Sequence, residues 1–433
     1  MSDPTIGFVA FIILLLLISI KIPVAIAMGI IGIVGGVIIK GAYSTAFILG
    51  SLPFEAVFPY GLSVVPLFIL MGTIAAHAGL SKDLYRATQA FVGHFKGGLA
   101  ISTVGACAAF GSICGSSLAT VATMGRVALP EMEKAGYEEN FAAASVAAGG
   151  TLGVLIPPSI IMVIYAILTE ESVGQMFAAA LLPGLLATFL YMLAIRFKVK
   201  LDPEAGPVTP TFSFSKRIKA VAGVWHVALL FGVVIGGIYA GWFSPTEAAA
   251  IGVMGALILT LLRKRLSINL CKDCLLETAA ISGMIFLILI GTALFNFFIE
   301  STMLPQVLVD WVANLDANRY VILIFLLLFF IILGMFMDAL SMILLTLPFV
   351  FPLIISLDFN PIWFGILMVS VVEIGLITPP VGMNLFILVG IDKKLNITSL
   401  SKAIVLFVVV DVIRIGVLVL IPELSLWLPS KMI

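Results

Sequence analysis

Glu373-Ile-Gly-Leu-Ile-Thr-Pro-Pro-Val-Gly-Met-Asn384 restates, about 222 residues on, the stretch Ala148-Gly-Gly-Thr-Leu-Gly-Val-Leu-Ile-Pro-Pro158. Pro157-Pro158 maps to Pro379-Pro380, and Gly153 maps to Gly375. Each proline pair interrupts a run of apolar residues long enough to be a helix. Proline removes a backbone donor and opens a helix. Elsewhere in the same register Pro23 maps to Pro245 and Pro130 to Pro352, and Gly72-Thr73 finds Gly291-Thr292 with a small slip. The chain therefore reads as two repeats, 1–195 and 220–433, joined by a polar linker over 196–219 that contains Pro203, Gly206, Pro207 and Pro210.

Composition says what surrounds these broken helices. Hydrophobic residues are 62% of the 433 and charged residues 11%, against roughly 45–50% and about 25% in ordinary globular domains. Lys plus Arg number 23 and Asp plus Glu 23, so the net charge is zero. A soluble enzyme, a disordered chain and a basic nucleic-acid binder are excluded. An outer-membrane barrel would alternate polar and apolar residues, whereas Gly7 to Ile20 is continuously apolar. The chain is an all-α integral membrane protein. Its N-terminus has neither a basic stretch nor an Ala-x-Ala cleavage site, and reads as a first membrane helix rather than a leader.

Spans of about 20 apolar residues are expected at 5–21, 24–40, 61–78, 140–169, 175–195, 220–241, 245–262, 280–299, 361–391 and 402–421. Two stretches, 98–130 and 320–355, are too long for one crossing and tight for two. Halves of ~16 residues rise only ~24 Å. Each reads as a re-entrant helical hairpin with its tip inside the membrane. The amphipathic runs 81–95 and 266–278 read as arms on the membrane surface. Basic residues cluster at 82–134, 196–219, 263–272 and 393–402. All four groups are cytoplasmic at once if both hairpins return to the side they left. Both termini then lie outside. Five crossings and a hairpin per half make the second half inverted. Inverted repeats with broken helices are the architecture of secondary transporters.

The polar chemistry sits at the interruptions. The first tip is Gly111-Ser-Ile-Cys-Gly-Ser-Ser-Leu-Ala-Thr120 and the second is Gly334-Met-Phe-Met-Asp-Ala-Leu-Ser341. Freed carbonyls beside hydroxyls can cage a hard cation such as Na⁺, and half-helix N-termini attract an anion. The competing reading of any one glycine is close helix packing, and of a proline a kink. Other candidates point to less. Asp411 and Arg414, three apart, can neutralise each other, and Glu247 after Pro245 reads as a first-turn charge. Glu300, Asp310, Asp316 and Asp358 read as loop charges. His77, His94 and His226 are scattered, and Cys271-x-x-Cys274 lacks a second pair to make a metal site. No phosphate-binding glycine loop with Lys-Ser/Thr is present, so the chain does not itself hydrolyse ATP. An intramembrane hydrolase using Ser116 or Ser117 would need a general base within reach, and no His lies on a broken helix. A passive channel is the other rival.

At these tips and proline pairs the chain resembles the large membrane subunit of tripartite ATP-independent periplasmic (TRAP) transporters over essentially its whole length. The resemblance implies an elevator-type transporter, not an enzyme, in a bacterial inner membrane, importing an organic acid of the sialic acid or C4-dicarboxylate type on a sodium gradient. It implies two partners, a small four-helix membrane subunit and a periplasmic binding protein. Because the sequence begins directly at the first large-subunit helix, the small subunit is expected as a separate chain. Carried over residue by residue, Ser116, Thr120, Gly149 and Gly153 would form one sodium site, with Ser117 beside it. Gly334, Asp338, Gly375 and Thr378 would form the other. Ser117, Thr151, Ser341 and Asn384 would face the organic acid. Ser116 stands where Asp338 stands in the second half, so the two sites are unequal. A stand-alone sodium–carboxylate symporter is the alternative of the same class.

Overall fold

The computed structural model describes residues 2–315 and 317–432, so Asp316, read above as a loop charge, lies outside the described residues. Every regular element among them is helical. The first half runs α1 (Asp3–Ser19), α2 (Val24–Lys40), α3 (Ala42–Val57), α4 (Val64–His77), α5 (Leu80–Val92), α6 (Gly98–Cys114), α7 (Ser117–Lys134), α8 (Glu139–Leu155), α9 (Ile160–Leu168) and α10 (Val173–Leu201). The second runs α11 (Phe214–Tyr239), α12 (Pro245–Leu262), α13 (Ile268–Ser301), α14 (Leu304–Ala313), α15 (Arg319–Gly334), α16 (Ala339–Ser356), α17 (Pro361–Ile377), α18 (Met383–Ile391) and α19 (Ile397–Leu420). Among the described residues, eight helical stretches are long and apolar enough to cross a membrane. α1 and α2, read as spans, have 17 residues each and rise only about 25 Å.

The breaks have local causes. α6 stops where Gly115 takes a left-handed φ of +64°, and Ser116 caps the start of α7 by accepting from Ala119 N. α8 stops at Leu155 because the Pro157-Pro158 pair cannot continue it, and Ser159 caps α9. α17 stops before Pro379-Pro380 in the same way, and α18 begins after Gly382. α15 ends at Gly334, and Asp338 caps α16. Glu247, read as a first-turn charge, closes a capping box with Ser244 on α12.

The second arm is a correction. Residues 266–278 do not form an element of their own: Ile268 opens a 34-residue helix that runs unbroken to Ser301. No proline falls inside it, whereas Pro59 and a 3-10 turn over Tyr60–Ser63 divide the corresponding part of the first half. The first arm is a separate helix, α5, set off from α4 by Gly79 at φ +78°. Two helices went unread in the sequence. Gly50, Pro53 and Glu55 interrupt the apolar run of α3, and α14 has only ten residues.

α8 and α17 form the centre. Every residue from Phe141 to Leu155 and from Ile362 to Ile377 is buried, as befits helices apolar on all faces. α6 and α7 pack on α8, and α15 and α16 pack on α17. Around them α2 packs on α13, α12 on α4, α1 on α2, and α11 on α12. The outermost helices expose apolar side chains such as Phe47, Phe54, Trp225 and Leu229, a surface suited to lipid. Salt bridges tie the ends: Asp83 of α5 to Arg263 after α12, and Glu133 of α7 to Lys394 after α18. The Glu133 carboxylate raises the Lys394 pKa.

Candidate functional site

In the first half the tip of the α6–α7 hairpin meets the end of α8. A Cβ on Gly111 would run into the Cα of Gly153. A Cβ on Gly153 would lie 2.6 Å from Thr120 Oγ1 and 3.0 Å from the Ser116 carbonyl oxygen. Thr120 Oγ1 donates to that same carbonyl at 2.7 Å. Ser116, Thr120 and Gly153 thus lie together, with two oxygens exposed to the gap that glycine leaves. Gly149 does not join them. It sits one turn earlier on α8, where a Cβ would lie 3.0 Å from Cys107 Sγ on α6.

The second half brings the α15–α16 hairpin onto α17 in a like manner. A Cβ on Gly375 would lie 2.6 Å from Gly334 Cα. Asp338, half-buried, accepts from Ser341 N at 3.0 Å and from Ser341 Oγ at 2.6 Å. Thr378 turns its hydroxyl back to the Ile374 carbonyl at 2.6 Å. Among the described residues no hydrogen bond joins it to Asp338.

A cavity of about 170 Å³ lies between the two tips. One wall is α4 and α13, through Gly72, Thr73 and Ile285. The other carries Ser116, Ser117, Asp338, Glu373 and the start of α9. Among the described residues its lining holds Glu277, Asp338 and Glu373 and no Lys, Arg or His. Of the four residues read as substrate-facing, only Ser117 lines it. Asn384 is fully buried behind Ser117, donating to its Oγ at 3.0 Å and to the Ala147 carbonyl at 3.3 Å. Ser341 is occupied by Asp338, and Thr151 points elsewhere.

Thr151 belongs to a buried chain that the sequence reading missed. Its hydroxyl lies 3.2 Å from Tyr191 OH, which donates to Asp411 at 2.5 Å. Asp411 pairs with Arg414 at 3.0 Å, both of them buried. The pairing of Asp411 with Arg414 was legible from their spacing; Tyr191, on α10, was not. Arg414 Nε and Nη1 have no hydrogen-bond partner, and the contact with Asp411 is made by Nη2, so the buried guanidinium depends on Asp411 for its counter-charge. Removing one member of a buried pair costs about 3–5 kcal/mol, whereas replacing both by apolar groups is often neutral. Asp411→Ala is therefore expected to lower the thermal unfolding midpoint of the purified protein sharply. Asp411→Leu with Arg414→Met is expected to recover most of the loss.

Glu373 was quoted in the repeat but given no role. It is 1% exposed, and neither carboxylate oxygen has a partner. Two signals could have singled it out. It is the sole acidic residue between Pro361 and Ile391, and it falls on Thr151 in the repeat register. The three histidines sit in separate contacts: His77 with the Thr73 carbonyl, His94 against Phe95, and His226 beside Arg263.

The comparisons with known proteins agree with this architecture. The family described as "Tripartite ATP-independent periplasmic transporter, DctM component" matches residues 11–424. The C4-dicarboxylate TRAP transporter large permease protein DctM of Pseudomonas aeruginosa is 35% identical over 87% of this chain and 88% of its own. The ectoine TRAP transporter large permease protein TeaC of Halomonas elongata is 34% identical over 86% of each. The sialic acid TRAP transporter large permease protein SiaM of Vibrio cholerae is 30% identical, also over 86% of each. In fold, the chain resembles the YdaH transporter of Alcanivorax borkumensis, with a TM-score of 0.64 at 16% identity and 89% of each chain covered. With a membrane-embedded helical fold, paired hairpins and broken helices, and these relatives along nearly its whole length, the chain belongs to the DctM component family of tripartite ATP-independent periplasmic transporters.

Proposed function

We propose that this chain is the transport subunit of a sodium-driven importer in the bacterial inner membrane, with both termini on the periplasmic side. It takes up an organic acid handed over by a periplasmic binding protein, and a separate small membrane subunit completes the complex. The chemistry of the cavity carries the reading. Its lining offers carboxylates and hydroxyls but no basic side chain. An organic acid that enters must have its negative charge met by other means. The N-termini of α7 and α16, capped at Ser116 and Asp338, supply partial positive charge. Bound cations supply the rest, which makes sodium a necessary companion of the substrate. Oxygen donors suited to a hard cation lie at Ser116, Thr120 and Gly153, and again at Asp338 near Gly334 and Gly375. Thr378 and Gly149 flank these clusters. Among the relatives, the substrates named include C4-dicarboxylates, isethionate, sialic acid and ectoine.

The position of the cavity suits an elevator. The hairpins and broken helices α6–α9 and α15–α18 form one body, and α1, α2, α11 and α12 belong to a scaffold with α4 and α13. Sliding the first body against the second carries the cavity across the membrane. The two halves act as inverted repeats, so the two end states are related by a pseudo-two-fold axis in the membrane plane.

Proteoliposomes test the reading. With an inward sodium gradient, the small subunit and the binding protein present, labelled organic acid should accumulate. This chain alone should transport near the background of protein-free vesicles. Robust uptake of free substrate by this chain alone would favour a stand-alone symporter. Uptake indifferent to sodium would remove the coupling.

A further inference from the structure

We propose that Glu373 holds a cation of its own, a sodium position apart from the two tip clusters and shared between the two halves of the chain. This deepens the sodium-driven reading above and rests on it. Glu373 is 1% exposed on α17 and lines the cavity with Ser117. Both of its oxygens lack a hydrogen-bond partner. A carboxylate buried at the middle of an apolar helix is costly unless a positive charge answers it.

Among the described residues no side chain hydrogen-bonds it. Arg414 is the one basic residue in the buried chain on α19. Its guanidinium is held by Asp411 at 3.0 Å and reaches the Ser370 carbonyl at 3.5 Å. Asp411 thus occupies this arginine, and Glu373 makes no hydrogen bond to it. Asp411 also accepts from Tyr191, whereas among the described residues Glu373 has neither a basic nor a hydrogen-bonding partner. Asp338 is engaged by Ser341. Tyr165, on α9, bonds the Pro361 carbonyl at the far end of α17. A monovalent cation bound there would hold Glu373 in its ionised form.

The neighbouring donors suit sodium, which takes oxygen ligands. Ser117 Oγ opens onto the same cavity, and the Asn384 side-chain amide, with an oxygen of its own, bonds that hydroxyl. Ser117 lies on α7, Glu373 on α17 and Asn384 on α18. An ion held there would clamp the first hairpin to the second broken helix. Neither tip cluster joins those elements.

The test uses the full chain with its small subunit, purified, and sodium alone as the probe. Equilibrium binding of radioactive ²²Na⁺ counts ions per molecule without any need for transport. Glu373→Gln should bind one ion fewer than wild type, or need about tenfold or more sodium to fill that position. Asp338→Asn should leave the Glu373 ion in place, so that the two losses add. Sodium-driven uptake by the reconstituted Glu373→Gln complex should also show a lower ion-to-substrate ratio. Equal counts and equal affinity in Glu373→Gln and wild type overturn the proposal. If Glu373→Gln does not fold, the wild-type count decides: more than two bound ions support the third position, and two or fewer overturn it. Failure of uptake with an unchanged difference in ion count would reject the transport reading while leaving this site intact.

Discussion

Asp338→Asn is expected to cut sodium-driven uptake by roughly ten- to a hundredfold while insertion and folding hold, the scale of about 1.5–3 kcal/mol for one contact to a charged group. The geometry separates two roles of this side chain. As an N-cap, Asp338 accepts from Ser341 N and Ser341 Oγ. Asn caps about as well as Asp, and its remaining oxygen can keep the bond to Ser341 N. α16 should therefore still start at Ala339. What the amide cannot keep is the charge that Asp338 turns to the cavity. Ser116, which caps α7 at the corresponding point of the first half, carries no charge, so the second tip alone should respond this way. The measurement is initial uptake against sodium concentration in proteoliposomes, with gel-filtration profile and thermal unfolding as folding controls. A mutant with normal uptake and unchanged sodium dependence would confine Asp338 to capping.

The second large effect concerns motion. Gly72 on α4 abuts the first hairpin tip: a Cβ there would lie 3.0 Å from Cys114 Cα and 3.2 Å from its carbonyl oxygen. Cys114 is a free thiol. Gly72→Cys therefore puts a second thiol next to the Cys114 backbone, across the boundary between the proposed scaffold and the moving body, and the tip must draw back from α4 for the pair to reach the Cβ–Cβ distance of about 3.8 Å that a disulfide needs. Oxidation should stop uptake, and a reductant should restore it. Cys107, Cys271 and Cys274 remain as internal controls, because oxidised wild type should transport normally. If the crosslinked protein transported at the wild-type rate, hairpin and scaffold would not slide past each other, and the elevator would be wrong for this chain.

The membrane class, the helical breaks and the position of the polar tips were legible in the sequence because they rest on local chemistry. A residue's neighbours in the chain determine whether a proline pair ends a helix, as at Pro157-Pro158 and Pro379-Pro380. They likewise determine whether an N-cap is available, as at Ser116 and Asp338. An apolar composition of 62% needs no fold to imply lipid. Even so, α3 was hidden by Pro53 and Glu55. The run 266–278 looked like a separate arm because amphipathicity marks a face and does not mark where a helix stops.

Tertiary structure decided which polar groups meet. Thr151 was read as facing substrate, yet its hydroxyl turns to Tyr191, and through it to Asp411 and Arg414, partners more than two hundred residues away on α19. Gly149 was grouped with Gly153, yet it packs on Cys107, because four residues rise about 6 Å along a helix, and the two glycines on the same face meet different levels of α6. Glu373 looked like one more residue of a broken helix until its surroundings left both oxygens without a partner. Backbone breaks are determined by bonds between adjacent residues and can be read along the chain. The partner of a buried charge is determined by which helices pack together, and no spacing within one helix specifies that.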